Sequence, residues 1–428
     1  MTAVHSPRGV IAAYLTSSLL FTLATSLIWA ANTIFLMQVG GLNIFQVMLV
    51  NSIFLVAMAV CEIPTGVIAD TLGRKTSYLI GIGTVLASTL LYVATPRMGW
   101  GFWGFAAASV LIGLGFTFQT GAVDAWLVDA LDACDYAQPK EPVFAWGQMT
   151  SGVGFFTGSL LGGLLGQIDL ALPYVVRAVL LLATLVVVAL SFQEIGFEKR
   201  PLSVSTFGAE AREVFSAGMR FGWRSPVVKP LLFVSLAGGV FYMYGFYSWQ
   251  PLALQLLGEN AVWTLGVVQA GFALTGIIGN ALVKPIMRIE QCRRDPARVL
   301  AWTAIIETLV VFAIGTVGVV TKHPGVLPFL VAVTLWLVWG LIVGVAEPVQ
   351  QGYINEHIPS AQRATVLSFN AFFDDVGGGA GQPVLGWLAQ RSSIAVGWLV
   401  GAVFVAMIAP LYARSGAALK RDVSDEAR

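Results

Sequence analysis

Charged side chains are scarce in this chain: Asp, Glu, Lys and Arg make up 11 % of 428 residues, against about a quarter in an ordinary soluble protein. A surface facing water could not be built from so few over one buried core. Lys and Arg number 24 against 23 Asp and Glu, so the net charge of +1 offers no basic field to nucleic acid. The three cysteines, Cys61, Cys134 and Cys292, lie far apart with no CxxC or paired-histidine spacing, which sets aside a disulfide framework and a metal cage and leaves reduced thiols. His5, His323 and His357 all fall in termini or loops, and no Ser/His/Asp set converges, so covalent catalysis has no support. A G-x-x-x-x-G-K-[ST] loop is missing and no polar segment is long enough for an ATPase domain, so no nucleotide and no cofactor are expected. Apolar residues are what the chain has: 57 % of the total, with 46 glycines and a mean hydropathy of +0.79. That composition belongs to a polytopic membrane protein whose solvent is the lipid bilayer.

Apolar runs separated by short polar or Gly/Pro punctuation recur over about 11–38, 45–69, 77–95, 101–128, 144–166, 171–192, 229–256, 262–287, 299–320, 326–351, 363–389 and 394–413. The first is too long for a signal-peptide core and lacks a small-residue cleavage site, so it is a retained span. The pattern predicts an all-α protein of twelve transmembrane helices. Its longest polar interruption holds Lys199, Arg200, Arg212, Arg220, Arg224 and Lys229, and its 207–220 part reads as an amphipathic surface helix. The expected layout is a six-helix bundle over 1–192, a central loop over 193–228, a second six-helix bundle over 229–414 and a tail over 415–428. With the N-terminus inside, twenty of the 24 Lys and Arg residues face the cytoplasm and only Arg97, Arg177, Lys322 and Arg391 do not. Both termini are therefore expected to be cytoplasmic, in a multi-pass protein of the cell's inner membrane. Arg177 lies a few residues inside the outer end of span 6, where it can snorkel.

The halves repeat. At an offset of 223 residues, Gly121 and Asp124 of span 4 fall on Gly344 and Glu347 of span 10, and Gly154, Gly158 and Gly163 of span 5 fall on Gly377, Gly381 and Gly386 of span 11. Paired helical bundles around a midplane site are the architecture of secondary transporters, because rocking one against the other exposes the site to each side in turn.

Where span 2 enters its loop the chain reads Gly66-Val67-Ile68-Ala69-Asp70-Thr71-Leu72-Gly73-Arg74-Lys75. Gly66 permits close helix approach, Gly73 permits a tight turn, and Asp70, Arg74 and Lys75 place opposite charges at the membrane edge. The segment resembles the G-x-x-x-D-x-x-G-R-K signature of the major facilitator superfamily, complete at every position. The resemblance implies a conformational latch of Gly66, Asp70, Gly73, Arg74 and Lys75, with Asp70 near span 11 and Arg74 paired to an acid at the end of span 4. Asp129 is the natural partner and Asp124 its competitor. Span 5, with Gly147, Gly154, Gly158, Ser159, Gly162 and Gly163, is similar to the antiporter motif of the drug/proton branch, with Ser159 where the motif has proline. Glu62-Ile63-Pro64-Thr65-Gly66, the Gly121–Asp129 segment and Arg363–Ser368 after Asn355–Pro359 resemble bacterial exporters of the tetracycline and macrolide type.

Ionisable groups inside the membrane are costly, and each marks a site by default. Glu62, Asp124, Glu347, Asp374 and Asp375 are the candidates for proton coupling, and Glu307 sits in span 9, which the family places at the periphery. Asp374 and Asp375 fall on the order of 16 Å along span 11, near the midplane. Adjacent residues of a helix point about 100° apart, so at most one faces a cavity squarely. Trp336, Trp339 and Glu347 share a stripe of span 10, and Tyr242, Phe246 and Trp249 one of span 7. In this family those spans line the substrate cavity with spans 1 and 4, which adds Trp29, Asn32 and Gln119. The expected function is proton-coupled antiport exporting a bulky lipophilic or cationic drug-like molecule by a monomer. Proton-coupled uptake of a small metabolite is the alternative, and a non-transporting receptor or scaffold a more distant one.

Overall fold

A chain crossing hydrocarbon must satisfy every backbone N–H and C=O internally, and helices do this segment by segment. The computed structural model describes residues 6–119, 121–195, 222–358 and 363–426, and these are helical almost throughout. The 207–220 helix expected from the sequence lies outside the described residues.

The elements are α1 (Pro7–Ser26), α2 (Asn32–Ile34) running into a π-helical turn (Phe35–Val39), α3 (Ile44–Leu72), α4 (Arg74–Met98), α5 (Gly101–Gln119), α6 (Ala122–Asp132), α7 (Glu141–Ile168) and α8 (Leu172–Ser191). They continue as α9 (Val228–Leu257), α10 (Val262–Arg288), α11 (Glu290–Arg294), α12 (Pro296–Val320), α13 (Val326–Glu356), α14 (Arg363–Arg391), α15 (Ile394–Ala406) and α16 (Ile408–Glu426). Ten of these segments, counting α5 with α6 and α15 with α16 as one each, are long and apolar enough to cross a membrane. The remaining two of span length, α7 and α14, have 28 and 29 residues. Glycines, hydroxyls and, in α14, two aspartates dilute their hydropathy.

Helix starts are encoded locally. Ser6 Oγ accepts from the Gly9 amide at 3.2 Å ahead of Pro7, and Asp295 and Ser393 do the same for α12 and α15. Asn43 and Gln46 exchange backbone-to-side-chain hydrogen bonds of 2.9 and 3.1 Å in a reciprocal cap on α3.

Three spans differ from the sequence expectation. The first breaks after Ser26 and resumes at Asn32, although Leu27–Ala31 contains neither Pro nor Gly. The fourth is interrupted at Gly121, whose φ of +74° is a left-handed conformation that glycine adopts freely. Helix continues to Glu426, past the expected end of the last span at residue 413.

The described residues form two compact units, one within Met1–Leu42, Ile53–Phe207 and Val262–Ala270, the other within Asn43–Ser52, Gly208–Ala261 and Gly271–Arg428. In lipid no hydrophobic gain drives helix association, so small residues that admit a neighbouring backbone do the work. In the first unit the glycine face of α7 meets α1: Cβ atoms on Gly158 and Gly162 would run into the carbonyls of Leu23 and Leu27. In the second unit α14 meets α9 the same way, with Gly377 and Gly381 against the carbonyls of Leu236 and Val240. Gly158 and its repeat counterpart Gly381 thus perform the same packing in each half. The lipid face is apolar: along α8, Val175, Val179, Leu182, Val186 and Leu190 are exposed while Tyr174, Arg177, Leu181, Thr184 and Val188 are buried.

Candidate functional site

The glycine-and-charge turn between α3 and α4 is built around Gly73. Its φ of +109° suits glycine alone, and a Cβ there would strike the carboxylate of Glu194. Glu194, just past α8, accepts from the amides of Arg74 (2.8 Å) and Lys75 (3.1 Å) and so caps the free N–H groups that open α4. Lys75 Nζ donates to the carbonyl of Ala189 at 2.8 Å. Arg74 Nε stands 3.9 Å from Asp129 Oδ2, at the long end of an ion pair, with both side chains partly exposed. Asp124 instead accepts from Tyr14 Oη of α1 at 3.2 Å. The Asp70 side chain lies outside the described residues, as do Pro359 and the side chains of Ala364 and Thr365 in the second exporter-like segment.

Nothing in the sequence pointed to Glu194 as the cap. Its only trace there is an acid directly after span 6, opposite a helix that starts on Gly73 with no capping side chain of its own. Trp126 holds the same stretch, stacking on Phe192 at 3.6 Å and donating from Nε1 to the carbonyl of Gln193 at 2.7 Å.

Among the described acids of the second unit the deepest is Glu307, 3 % exposed on α12. Trp339 Nε1 of α13 donates to one carboxylate oxygen at 2.8 Å and Tyr242 Oη of α9 to the other at 3.1 Å. Two of the aromatics expected to wall the cavity therefore aim their polar ends at this carboxylate. Trp339 also packs against Phe241, Phe272 and Trp398, and Trp336 against Trp249 and Trp398, in one buried aromatic cluster. Phe246 is half-buried beside Tyr247. Glu307→Leu should lower the thermal midpoint of the purified protein by several degrees, because two buried donors lose their acceptor at about 1–3 kcal/mol each. Glu307→Gln retains one acceptor and should fall less; a leucine variant as stable as the wild type would contradict this reading.

Asp374 and Asp375 are half-buried on α14, and the Asp374 carbonyl lies so close over Gly239 of α9 that no Cβ fits between them. Glu62 and Glu347 are exposed. In the first unit Trp29 meets Phe155 edge-on at 5.3 Å, Asn32 is buried and accepts from Tyr174 Oη at 2.7 Å, and Gln119 is half-buried. Ser159, in the position of the motif's proline, is fully buried within an uninterrupted α7. Arg177 does not snorkel: it is 1 % exposed, because its side of α8 packs on α1 and α4 and not on lipid. The described residues contain no group of three or more His, Cys, Asp or Glu able to hold a metal ion.

Span-length helices that pack through glycines and enclose charged side chains define a multi-pass membrane protein. The chain belongs to the Major Facilitator Superfamily, whose family model matches residues 14–382. It is 24 % identical over 365 residues to the tetracycline resistance protein, class D, of Salmonella ordonez, covering 82 % of each chain. It is 27 % identical over 224 residues to the class C tetracycline resistance protein of Escherichia coli, covering 51 % of this chain and 50 % of that protein. Among solved structures, the nucleoside transporter NupG superposes with a TM-score of 0.73 at 13 % identity, over 95 % of this chain and 98 % of that one. The POT family transporter PepTSo superposes with a TM-score of 0.73 at 14 % identity, over 97 % and 99 %. Those likenesses establish the fold.

Proposed function

We propose that this secondary transporter is a proton-coupled antiporter that exports lipophilic or cationic drug-like compounds by alternating access. The observation that carries the reading is the kinship, across four-fifths of the chain, with a protein named for tetracycline resistance. Three features support it: the adjacent carboxyls Asp374 and Asp375 far from either end of α14, the aromatic faces of α9 and α13, and the absence of a nucleotide-binding loop. In this reading six-helix bundles over 1–192 and 229–414 rock about a central site in a monomer. Asp70, Arg74 and Asp129 latch one state. Asp374, Asp375, Glu347, Glu62 and Asp124 are the acids from which the proton carrier is drawn.

The positive-inside bias puts both termini in the cytoplasm of a cell whose inner membrane holds the protein. A reporter fused after residue 428 or within 193–229 should read as cytoplasmic, and one within 258–261 as external; an external C-terminus would overturn this orientation.

Direction is tested by expression in a bacterium lacking its own drug pumps, with resistance and accumulation measured across a panel of lipophilic and cationic compounds. Export predicts raised resistance and lowered accumulation for a subset of them. Raised accumulation would mean uptake, and no change for any compound would remove the drug-export reading.

A further inference from the structure

We infer that Arg177 forms an internal anion site in the first unit, fitted to the carboxylate of an aromatic acid. Arginine keeps its charge in any protein environment, and enclosing that charge without a counter-charge is among the costliest arrangements a membrane protein can contain. Arg177 is 1 % exposed, and its Nε and Nη2 are buried with no hydrogen-bond partner. These two nitrogens share one edge of the guanidinium, and their N–H bonds point the same way. That edge is the fork that grips both oxygens of one carboxylate.

The surroundings supply no anion. No ion pair among the described residues involves Arg177, and the titratable groups acting on it are two phenols, Tyr174 and Tyr92. Both are already engaged: Tyr174 Oη donates to Asn32 at 2.7 Å, and Tyr92 Oη shares a hydrogen bond of 2.9 Å with Ser109 Oγ. No described residue supplies the counter-ion, which points to one brought from outside.

The rings indicate its character. Tyr92 and Tyr174 stack at 5.7 Å with 15° between their planes, and Phe35 lies against Tyr174 at 4.3 Å, so the two phenols that act on Arg177 belong to a stacked set of flat rings. Phe35 opens the π-helical turn that follows the break in the first span. Interrupted helices and π-helical turns recur at functional and binding sites, where the backbone can rearrange around a ligand. Entry to so enclosed a site requires the span to shift at that break, after which the bound charge is held away from water, where a charge-assisted pair is strongest.

As a statement about transport this deepens the proposed function, adding an acidic group to the compounds the protein takes, and to that extent rests on it; as a statement about binding it stands alone. The test is calorimetric titration of the purified full-length protein with benzoate, benzyl alcohol and inorganic phosphate, which needs no transport assay. Benzoate should bind saturably and about tenfold or more tighter than benzyl alcohol. Arg177→Gln should lose that preference and Arg177→Lys keep part of it. Equal binding of benzoate and benzyl alcohol by the wild type, which requires no variant to fold, would overturn the site. So would undiminished benzoate binding by a folded Arg177→Gln protein, or phosphate binding tighter than benzoate. Failure of export with benzoate binding intact would strike the proposed function alone.

Discussion

Replacing Asp374 or Asp375 by asparagine is expected to abolish uphill transport driven by a pH gradient while leaving downhill substrate exchange intact. The two carboxyls are neighbours well inside α14, and no Lys or Arg lies on that helix between Arg363 and Arg391. Two like charges so placed can hardly both be ionised, and a proton held between them is one that an arriving substrate can displace. The crossing at Gly239 fixes where the pair sits: the Asp374 carbonyl is pressed on that glycine, so α14 cannot slide along α9 without meeting a side chain. Asp374→Asn, Asp375→Asn and Glu347→Gln should be compared in liposomes with an imposed pH gradient. Glu307→Gln belongs in the same series, since Glu307 is the most enclosed of the described acids of the second unit. If uphill transport survives in the first three, those residues have no part in coupling; if it fails only in the Glu307 variant, the carrier lies between α9, α12 and α13.

Arg74→Ala is expected to lower transport severely with little loss of protein from the membrane, and Asp129→Asn to reproduce part of that defect. The pair is partly exposed and stands at 3.9 Å, so its contribution to folding is at most about 1 kcal/mol. A two-state transporter is more sensitive than a fold: about 1 kcal/mol placed in one state and not the other changes the population ratio roughly fivefold. Glu194 makes the prediction more specific, because it holds the amides of Arg74 and Lys75 and not their side chains. Glu194→Gln should therefore damage transport less than Arg74→Ala. Normal transport rates in both Arg74→Ala and Asp129→Asn would show that no latch operates here.

Much of the fold was legible because the bilayer simplifies the code. Twenty-odd apolar residues make a span, and glycine marks where backbones meet. Even α7 and α14, whose hydropathy is diluted, were visible through the glycines that pack them on α1 and α9. The break at Leu27–Ala31 was not, since it occurs in wholly apolar sequence with no Pro or Gly, and only packing across helices determines where such a span unwinds. The same limit applied to the candidate site. Spacing put Tyr242 and Trp339 on helical stripes, but where a hydroxyl or an indole N–H points depends on another helix, and here both point at Glu307. Arg177 looked able to snorkel because its depth can be counted along the sequence, whereas the direction in which α8 turns its polar side cannot.

An ion gradient alone is expected to drive this protein. Purified protein in liposomes, given a pH gradient and either ethidium or tetracycline, tests it directly. Accumulation against the concentration gradient should build up and collapse when an uncoupler dissipates the pH difference; accumulation indifferent to the uncoupler would show that the gradient does not drive it.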